Sequence, residues 1–535
     1  MKRIIPSLIA MSTLASAADY SGVIPSYQDA VKAEMAEWKL RGISIAWVDR
    51  NSIVYEEGFG EAKKDSVFRA GSVSKLFNAV AVMKLVEQGK LGLDAPLPDD
   101  RVPVNPFNGK PITLRQLLSH RSGFQREAST GGYFDDSEPT LEATAASLKG
   151  MALVSPPESE NRYSNIAPSL AGHVAAEAAG KSFPKLQAEW IHRPLGMTKS
   201  SWLHKDAGAV LPSHIRVADR KGGFTDRSTP LFDLGTIPAG NLYTTAGDLG
   251  RFIMMLAAEG DSPGGRILKA ETLTEMWKPQ FDPKGSFGIG FALGEWRGRK
   301  TVGHGGAVYG HSTALTYLPE EKIGVVVLCN EDIVNGRTQH LADLALSLML
   351  QAKKGEAPQA APTYPASPEE KQEIAGKWES QSFWMELGGD LSGVLSCQEF
   401  KLTPTAKDRY LLNSRLHSDL PVSINRDTTG TVIRISAGPQ EFTRVPDNRK
   451  PLPKEWRAFQ GSYGPNMIPF VVHEKFGRLY GTTENMADYR LTPVNRYVFA
   501  FPAGLYAKEH AVFIPGPDGK ARAVDLANMT LPRID

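Results

Sequence analysis

Phe68-Arg69-Ala70-Gly71-Ser72-Val73-Ser74-Lys75-Leu76-Phe77 decides how this chain is read. From Ser72 onward Leu76, Phe77, Val80, Met83 and Val86 recur at helical spacing until Gly89 and Gly92 break the run. The spacing predicts a helix that opens at Ser72. Side chains three apart on a helix share a face, with Cβ atoms about 5–6 Å apart, so the Lys75 amine can reach the Ser72 hydroxyl. A serine hydroxyl is a weak nucleophile until a neighbouring base takes its proton, and an ordinary lysine is charged and cannot be that base. Desolvation at a buried helix start and the positive end of the helix dipole both favour the neutral amine. Ser72 is therefore the candidate nucleophile, with Lys75 as its base. A second Ser-x-x-Lys, Ser182-Phe183-Pro184-Lys185, has Pro184 between the partners, which argues against an uninterrupted helix interior there.

A nucleophile of this kind needs a group that moves protons beside it. Tyr163-Ser164-Asn165 is the only Tyr-x-Asn in the chain. A phenol next to an ammonium can act as acid or base, and an asparagine amide can orient both the catalytic groups and a substrate amide. The same tripeptide also reads as a turn capping a helix over Ala167 to Ala179. Gly303-His304-Gly305-Gly306-Ala307 holds the only His-x-Gly, ahead of strand-like Thr313 to Tyr317 and Ile323 to Leu328. Glycines permit close backbone approach, so an edge strand here can lay a peptide-like substrate alongside itself. The backbone N–H groups of Ser72 and Ala307 are then candidates for an oxyanion hole. A glycine-rich strand entry with a surface histidine is the other reading. Gly310-His311-Ser312-Thr313-Ala314 imitates a nucleophile elbow, but a hairpin-like pattern follows where that motif requires a helix. His120 closes the apolar segment Ile112 to Leu118, where a histidine commonly caps the last carbonyls, and it stays outside the catalytic set.

Taken together, Ser72-x-x-Lys75, Tyr163-x-Asn165 and His304-x-Gly306 resemble, in order and rough spacing, the serine β-lactamase and penicillin-binding-protein family on its class C side. Arg193-Pro194-Leu195-Gly196-Met197 and Ala239 to Leu249 resemble the family as well, and the likeness spans roughly residues 22–350. The resemblance implies an α/β (α+β) catalytic domain, with an antiparallel sheet flanked by helices and a helical subdomain beside it. It also implies acyl transfer through a covalent serine ester, with Ser72 as nucleophile, Lys75 and Tyr163 sharing the proton transfers, and Asn165 orienting them. His304 stands where the family often has the lysine of Lys-Thr-Gly. An unperturbed histidine is mostly neutral at pH 7 and attracts a carboxylate less. That departure favours the D-aminopeptidases and esterases among the family's relatives over an efficient β-lactamase or a carboxypeptidase. Hydrolysis of D-amino-acid amides, short peptides or esters is the expected activity. The near alternatives are a promiscuous esterase or weak β-lactamase, and an acylated protein that binds or senses without turnover.

The whole chain, of 535 residues, is long enough for two or three domains. Its 61 basic and 59 acidic residues leave a net charge of +2, so no overall field draws it to nucleic acid or an acidic membrane. The expected partner is a small-molecule or short-peptide substrate, no cofactor or metal is called for, and a homodimer is left open. Residues 1–18 have the three parts of a secretory signal peptide, Lys2-Arg3, an apolar stretch and Ala15-Ser16-Ala17, so a secreted or periplasmic protein with no membrane span is expected. Two cysteines, Cys329 and Cys397, read as structural thiols. The catalytic domain is expected over 19–352 and a Pro- and Ala-rich linker over 353–367. Beyond it a degenerate repeat, Gly376-Lys377-Trp378 echoed by Gly461-Ser462-Tyr463 and Thr443-Arg444 by Pro532-Arg533, predicts two barrel-like β domains, 368–449 and 452–535. The resemblance further implies that a loop from a β domain narrows the active site, with Glu484 or Asp488 as acidic groups to meet a substrate amine.

Overall fold

The computed structural model describes residues 18–107, 109–218, 224–359, 362–484, 486–526 and 528–535. Apart from Ala18, the expected signal peptide lies outside the described residues. Six antiparallel strands form the central sheet, in the spatial order Ser52–Gly60, Gly42–Asp49, Ile323–Cys329, His311–Leu318, Arg299–Val308, Ala292–Trp296. Gly42–Asp49 and Ile323–Cys329 are buried along their whole length. Such continuously apolar strands need cover on both faces. Alternation decides which face each side chain meets. Ile43, Ile45, Trp47, Val325 and Val327 pack with Tyr27 and Val31 of helix Ile24–Trp38 and with Leu341 and Ala345 of helix Asn335–Lys354. Ala46, Val48, Val326 and Leu328 point the other way, into the core that holds Leu249, Phe252 and Ile253 of helix Ala246–Ala257.

On that second face lies the helix that decides the site. A short 3₁₀ turn over Gly71–Val73 leads into helix Ser74–Glu87, in which every residue from Ser74 to Met83 is buried. A helix apolar all round belongs in a core. Here it packs on helix Ile166–Ala179 and on the short helix Ile237–Gly240. The sheet meets its start through backbone: a Cβ on Gly306 would lie 2.0 Å from the Ala70 carbonyl oxygen, and one on Gly71, at φ +54°, would lie 2.8 Å from the Ala307 nitrogen. Only glycine fits at Gly306, which explains the glycine-rich entry to that strand.

A capping box on Ser367 and Glu370 starts helix Pro368–Ile374, and eight strands from Gly376–Glu379 to Gln440–Arg444 then close into a barrel. The barrel closes where its first strand pairs with its last, at Trp378 and Arg444. The following strands, Gly461–Tyr463 to Met529–Pro532, divide into a four-stranded and a five-stranded sheet around one shared core. Backbone bonds from Ile534 to Ser462 and from Leu491 to Leu479 tie the two sheets at their edges. The echo in sequence has a physical counterpart. Arg444 lies over Trp378 at 4.3 Å and Arg533 over Tyr463 at 5.7 Å, each joining the first and last strands of its unit.

Among the described residues, no helix is long and apolar enough to cross a membrane. Both cysteines are buried free thiols.

Gly306→Ala should force the Arg299–Val308 strand off the Ser72 turn. Overpacking of this kind destabilises by about 1–3 kcal/mol. Denaturant unfolding should show that loss together with slower acylation at Ser72, and wild-type stability with wild-type acylation would contradict the close contact.

Candidate active site

Ser72 is half-buried and meets two proton-carrying side chains. Lys75 Nζ lies 3.0 Å from Ser72 Oγ, and the Tyr163 hydroxyl lies 2.8 Å from the same oxygen. The i, i+3 spacing supplies the first contact. The second comes from Tyr163, just ahead of helix Ile166–Ala179. Lys75 is held at two further points: Nζ donates to Asn165 Oδ1 at 2.8 Å and to the Ala239 carbonyl at 2.9 Å. A neutral amine has two hydrogens and one lone pair. In that form, with both hydrogens given to these fixed oxygens, the lone pair would be left for Ser72. Lys75 is 1% exposed, and burial is the main cause that lowers its pKa below the ordinary lysine value, against the pull of Tyr163.

Asn165 is itself oriented. Its Nδ2 donates to Glu127 Oε1 at 2.6 Å, which forces Oδ1 toward Lys75. Burial pushes the Glu127 carboxyl up to about 7, against Arg126, while Glu484 adds to the rise. The cluster extends into the C-terminal strands. Arg126 pairs with Glu484 at 2.7 Å, and Glu484 Oε2 accepts from the Tyr506 hydroxyl at 3.0 Å. The Arg126 backbone N–H and the Arg162 guanidinium both donate to Glu509 Oε1, at 3.2 and 2.5 Å. All four charged groups are buried. Burial alone would lower Arg126, but Glu484 and Glu127 outweigh it and hold the guanidinium charged.

His304 lies near Tyr163, with ring centroids 6.1 Å apart. Its Nδ1 is 2.5 Å from the Gly305 carbonyl oxygen, and burial, helped by Lys75 whenever that amine is protonated, drops its pKa to about 4. The imidazole is neutral at pH 7. Gly306 and Ala307 continue the strand past the Ser72 turn, and Asn335 Nδ2 donates to the Gly306 carbonyl at 2.8 Å.

Thus Ser72, Lys75, Tyr163, Asn165, His304, Gly306 and Ala307 come together in space. Glu484 reaches the site's edge, but its oxygens are engaged by Arg126 and Tyr506. Asp488 lies elsewhere, bonded to His473, Trp384, Cys397 and Thr482. Neither carboxylate offers itself to a substrate amine, because a buried acid between donors is already satisfied. The competing motifs separate cleanly. Ser182 and Lys185 are both exposed. Ser312 sits within strand His311–Leu318, its hydroxyl donating to the Glu331 carbonyl at 3.0 Å.

Three partners escaped the sequence reading. His120, read as a helix cap, has φ +58° and stacks its ring 4.4 Å from that of Tyr163, while Nδ1 accepts from the Ser164 N–H at 3.2 Å. The Arg126-Glu127 pair belongs to no motif, although two adjacent opposite charges in an otherwise apolar and small-residue stretch are a usable signal. The Ala239 carbonyl, a backbone acceptor, leaves no side-chain signature.

A model of the Beta-lactamase family matches residues 27–349. D-alanyl-D-alanine-carboxypeptidase/endopeptidase AmpH of Escherichia coli (strain K12) is 30% identical over 318 residues, which cover 54% of this chain and 78% of that protein. Penicillin-binding protein 4 of Amycolatopsis lactamdurans is 27% identical over 383 residues, covering 66% of this chain and 97% of that protein. Among solved structures, the penicillin-binding protein homologue from Pyrococcus abyssi superposes with a TM-score of 0.57 at 23% identity, over 79% of this chain and all, 100%, of that one. The likeness to that structure is one of fold. With the family model matched across the whole hydrolase fold and Ser72 met by both an amine and a phenol, the chain belongs to the Beta-lactamase family and is a serine hydrolase.

Proposed function

We propose that the enzyme hydrolyses D-amino-acid amides, short peptides or esters through a covalent acyl-Ser72 intermediate. One observation carries the reading: Ser72 Oγ lies within hydrogen-bond distance of both Lys75 Nζ and Tyr163 OH, at 3.0 and 2.8 Å, with the amine pinned by Asn165 and Ala239. In this reading Ser72 Oγ attacks the substrate carbonyl carbon while its proton passes to Lys75, directly or by way of Tyr163. The backbone N–H groups of Ser72 and Ala307 hold the carbonyl oxygen as it becomes negative. Tyr163 and Lys75 return the proton to the departing amine or alkoxide. Water then attacks the acyl ester, its proton goes to the same pair, and Ser72 leaves protonated.

Substrate class follows from the walls. A neutral His304 favours ligands without a carboxylate at that end, so the reading departs from a carboxypeptidase that grips a free C-terminus. The 30% identity to AmpH, whose name specifies a D-alanyl-D-alanine substrate, supports the D configuration. Glu484, Tyr506 and Glu509, gathered on Arg126 and Arg162 beside Tyr163, favour small acyl groups. The leader pattern around Lys2-Arg3 and Ala15-Ser16-Ala17 supports an exported enzyme.

A panel of D- and L-aminoacyl p-nitroanilides, short-chain esters and a chromogenic cephalosporin tests the proposal on wild type, Ser72→Ala and Lys75→Ala. The expected result is steady turnover with a D preference. Groups acting as one unit are strongly non-additive, so Lys75→Ala should fall within about tenfold of Ser72→Ala. Near-full activity in Lys75→Ala, or burst labelling without product release, would overturn the reading.

Glu127 gives the pH dependence a sign. Its carboxyl, raised to about 7, is negative above that pH and neutral below it, so the charge that orients Asn165 fades as pH falls. kcat/KM should decline on the acid side through pH about 7. In Glu127→Gln that limb should disappear, with a loss of up to about tenfold on the plateau. An unchanged acid limb would show that another group controls it.

A further inference from the structure

The seam between the closed barrel and the strands that follow it contains a second cluster of reactive side chains, none of which takes part in the proposed hydrolase chemistry. Cys397 comes from the barrel, and His473 and Asp488 come from the strands beyond it. Cys397 Sγ lies 3.0 Å from Asp488 Oδ2, and His473 Nε2 lies 2.8 Å from the same oxygen. One ligand atom from each residue falls within 4.8 Å of the others. All three residues are 2% exposed or less. From this convergence we propose that Cys397, His473 and Asp488 bind a divalent transition-metal ion, zinc by ligand chemistry, that staples the two β units together.

The ligand set is specific. A thiolate, an imidazole and a carboxylate are the three side-chain donors zinc takes, and a tetrahedral site leaves one place for a fourth ligand. Tetrahedral zinc separates its donor atoms by about 3.4–3.6 Å, so the contacts of Cys397 and His473 with Asp488 each need to open by about 0.6 Å. Supporting bonds are already in place. Trp384 Nε1 donates to Asp488 Oδ2 at 2.7 Å, the Thr482 hydroxyl donates to Asp488 Oδ1, and the His473 ring also bonds the Glu474 backbone. Partners of this kind orient the ligands of a metal site.

The local sequence points the same way. Leu395 pairs with Gln398, so Ser396-Cys397 is a two-residue hairpin loop, with φ +45° and +69°. Such a loop favours Asn-Gly, because both residues take the left-handed conformation. Turn propensity therefore does not account for a cysteine at this tip. What the tip gains is a thiol delivered across the seam.

Without the ion, the Cys397 thiol and the His473 ring are both hydrogen-bonded to the Asp488 carboxylate. With it, the thiol proton leaves for solvent and one divalent cation sits among a thiolate, a neutral imidazole and a carboxylate, with no redox step involved. The ion takes no part at Ser72. Its structural reach is nevertheless direct, because Thr482 and Asp488 pair as the stem of the turn that carries Glu484 to Arg126.

Chelator-stripped full-length protein titrated with Co²⁺ tests the site. One ion per chain should bind, with a thiolate-to-cobalt charge-transfer band and release of protons. Zinc should then displace the cobalt. Cys397→Ser should abolish the band and weaken zinc at least about tenfold, while fluorophosphonate still labels Ser72 at the wild-type rate. If that variant does not fold, loss of the band in His473→Gln decides in its place. Absence of a thiolate band in wild type overturns the proposal. So does undiminished binding in Cys397→Ser, the result expected if the ion sits instead on the half-exposed Glu138, His204 and Asp233 group.

Discussion

One amine out of water organises this protein. Lys75 is in the first turn of a helix whose residues Ser74 to Met83 are all buried, and two fixed oxygens, on Asn165 and Ala239, take its hydrogens. Stripped of solvent, an ammonium loses far more than a neutral amine does, so burial favours the neutral form that the proposed mechanism uses as its base. Much of the surrounding architecture serves that condition. The sheet supplies Gly306 and Ala307 against the Ser72 turn, the neighbouring helix supplies Tyr163 and Asn165 at its N-terminal end, and Glu127 fixes which way the Asn165 amide faces.

Burying an amine also brings buried charges that must be balanced. Arg126, Glu127, Glu484, Arg162 and Glu509 form a chain of opposite signs that starts beside Asn165 and ends in the C-terminal sheets. Removing one member of a buried pair destabilises by about 3–5 kcal/mol, because the survivor has no water to turn to. Arg415 of the barrel meets Glu331 of the hydrolase fold in the same way, at 3.3 Å. The β units are therefore bound to the catalytic fold by the charges of its own active site, and cutting them away strands those charges.

The readable parts of the sequence are those whose chemistry is local. Ser72 and Lys75 are three apart, and the helix that joins them is written in its apolar period. Tyr163-x-Asn165 and His304-x-Gly306 are short motifs whose members move together. His120 was misleading because a cap and a ring packed on a tyrosine look alike from one strand of sequence. Arg126 and Glu127 gain meaning only from Glu484, which lies 358 positions away for Arg126. The C-terminal repeat was visible because the same clasp, aromatic on the first strand and arginine on the last, is built twice. The destination of Asp488 was not, since nothing local distinguishes an acid that meets a substrate from one that meets a histidine, a cysteine and a tryptophan.

The most direct test is the protonation of the amine itself. Titration of the Lys75 side chain by NMR, with lysine labelled at Cε and the signal assigned through Lys75→Arg, measures it without reference to any substrate. A midpoint below the ordinary lysine value of 10.5 is what the burial of this residue predicts. A Lys75 that stays protonated up to or beyond that value would contradict the account at its root.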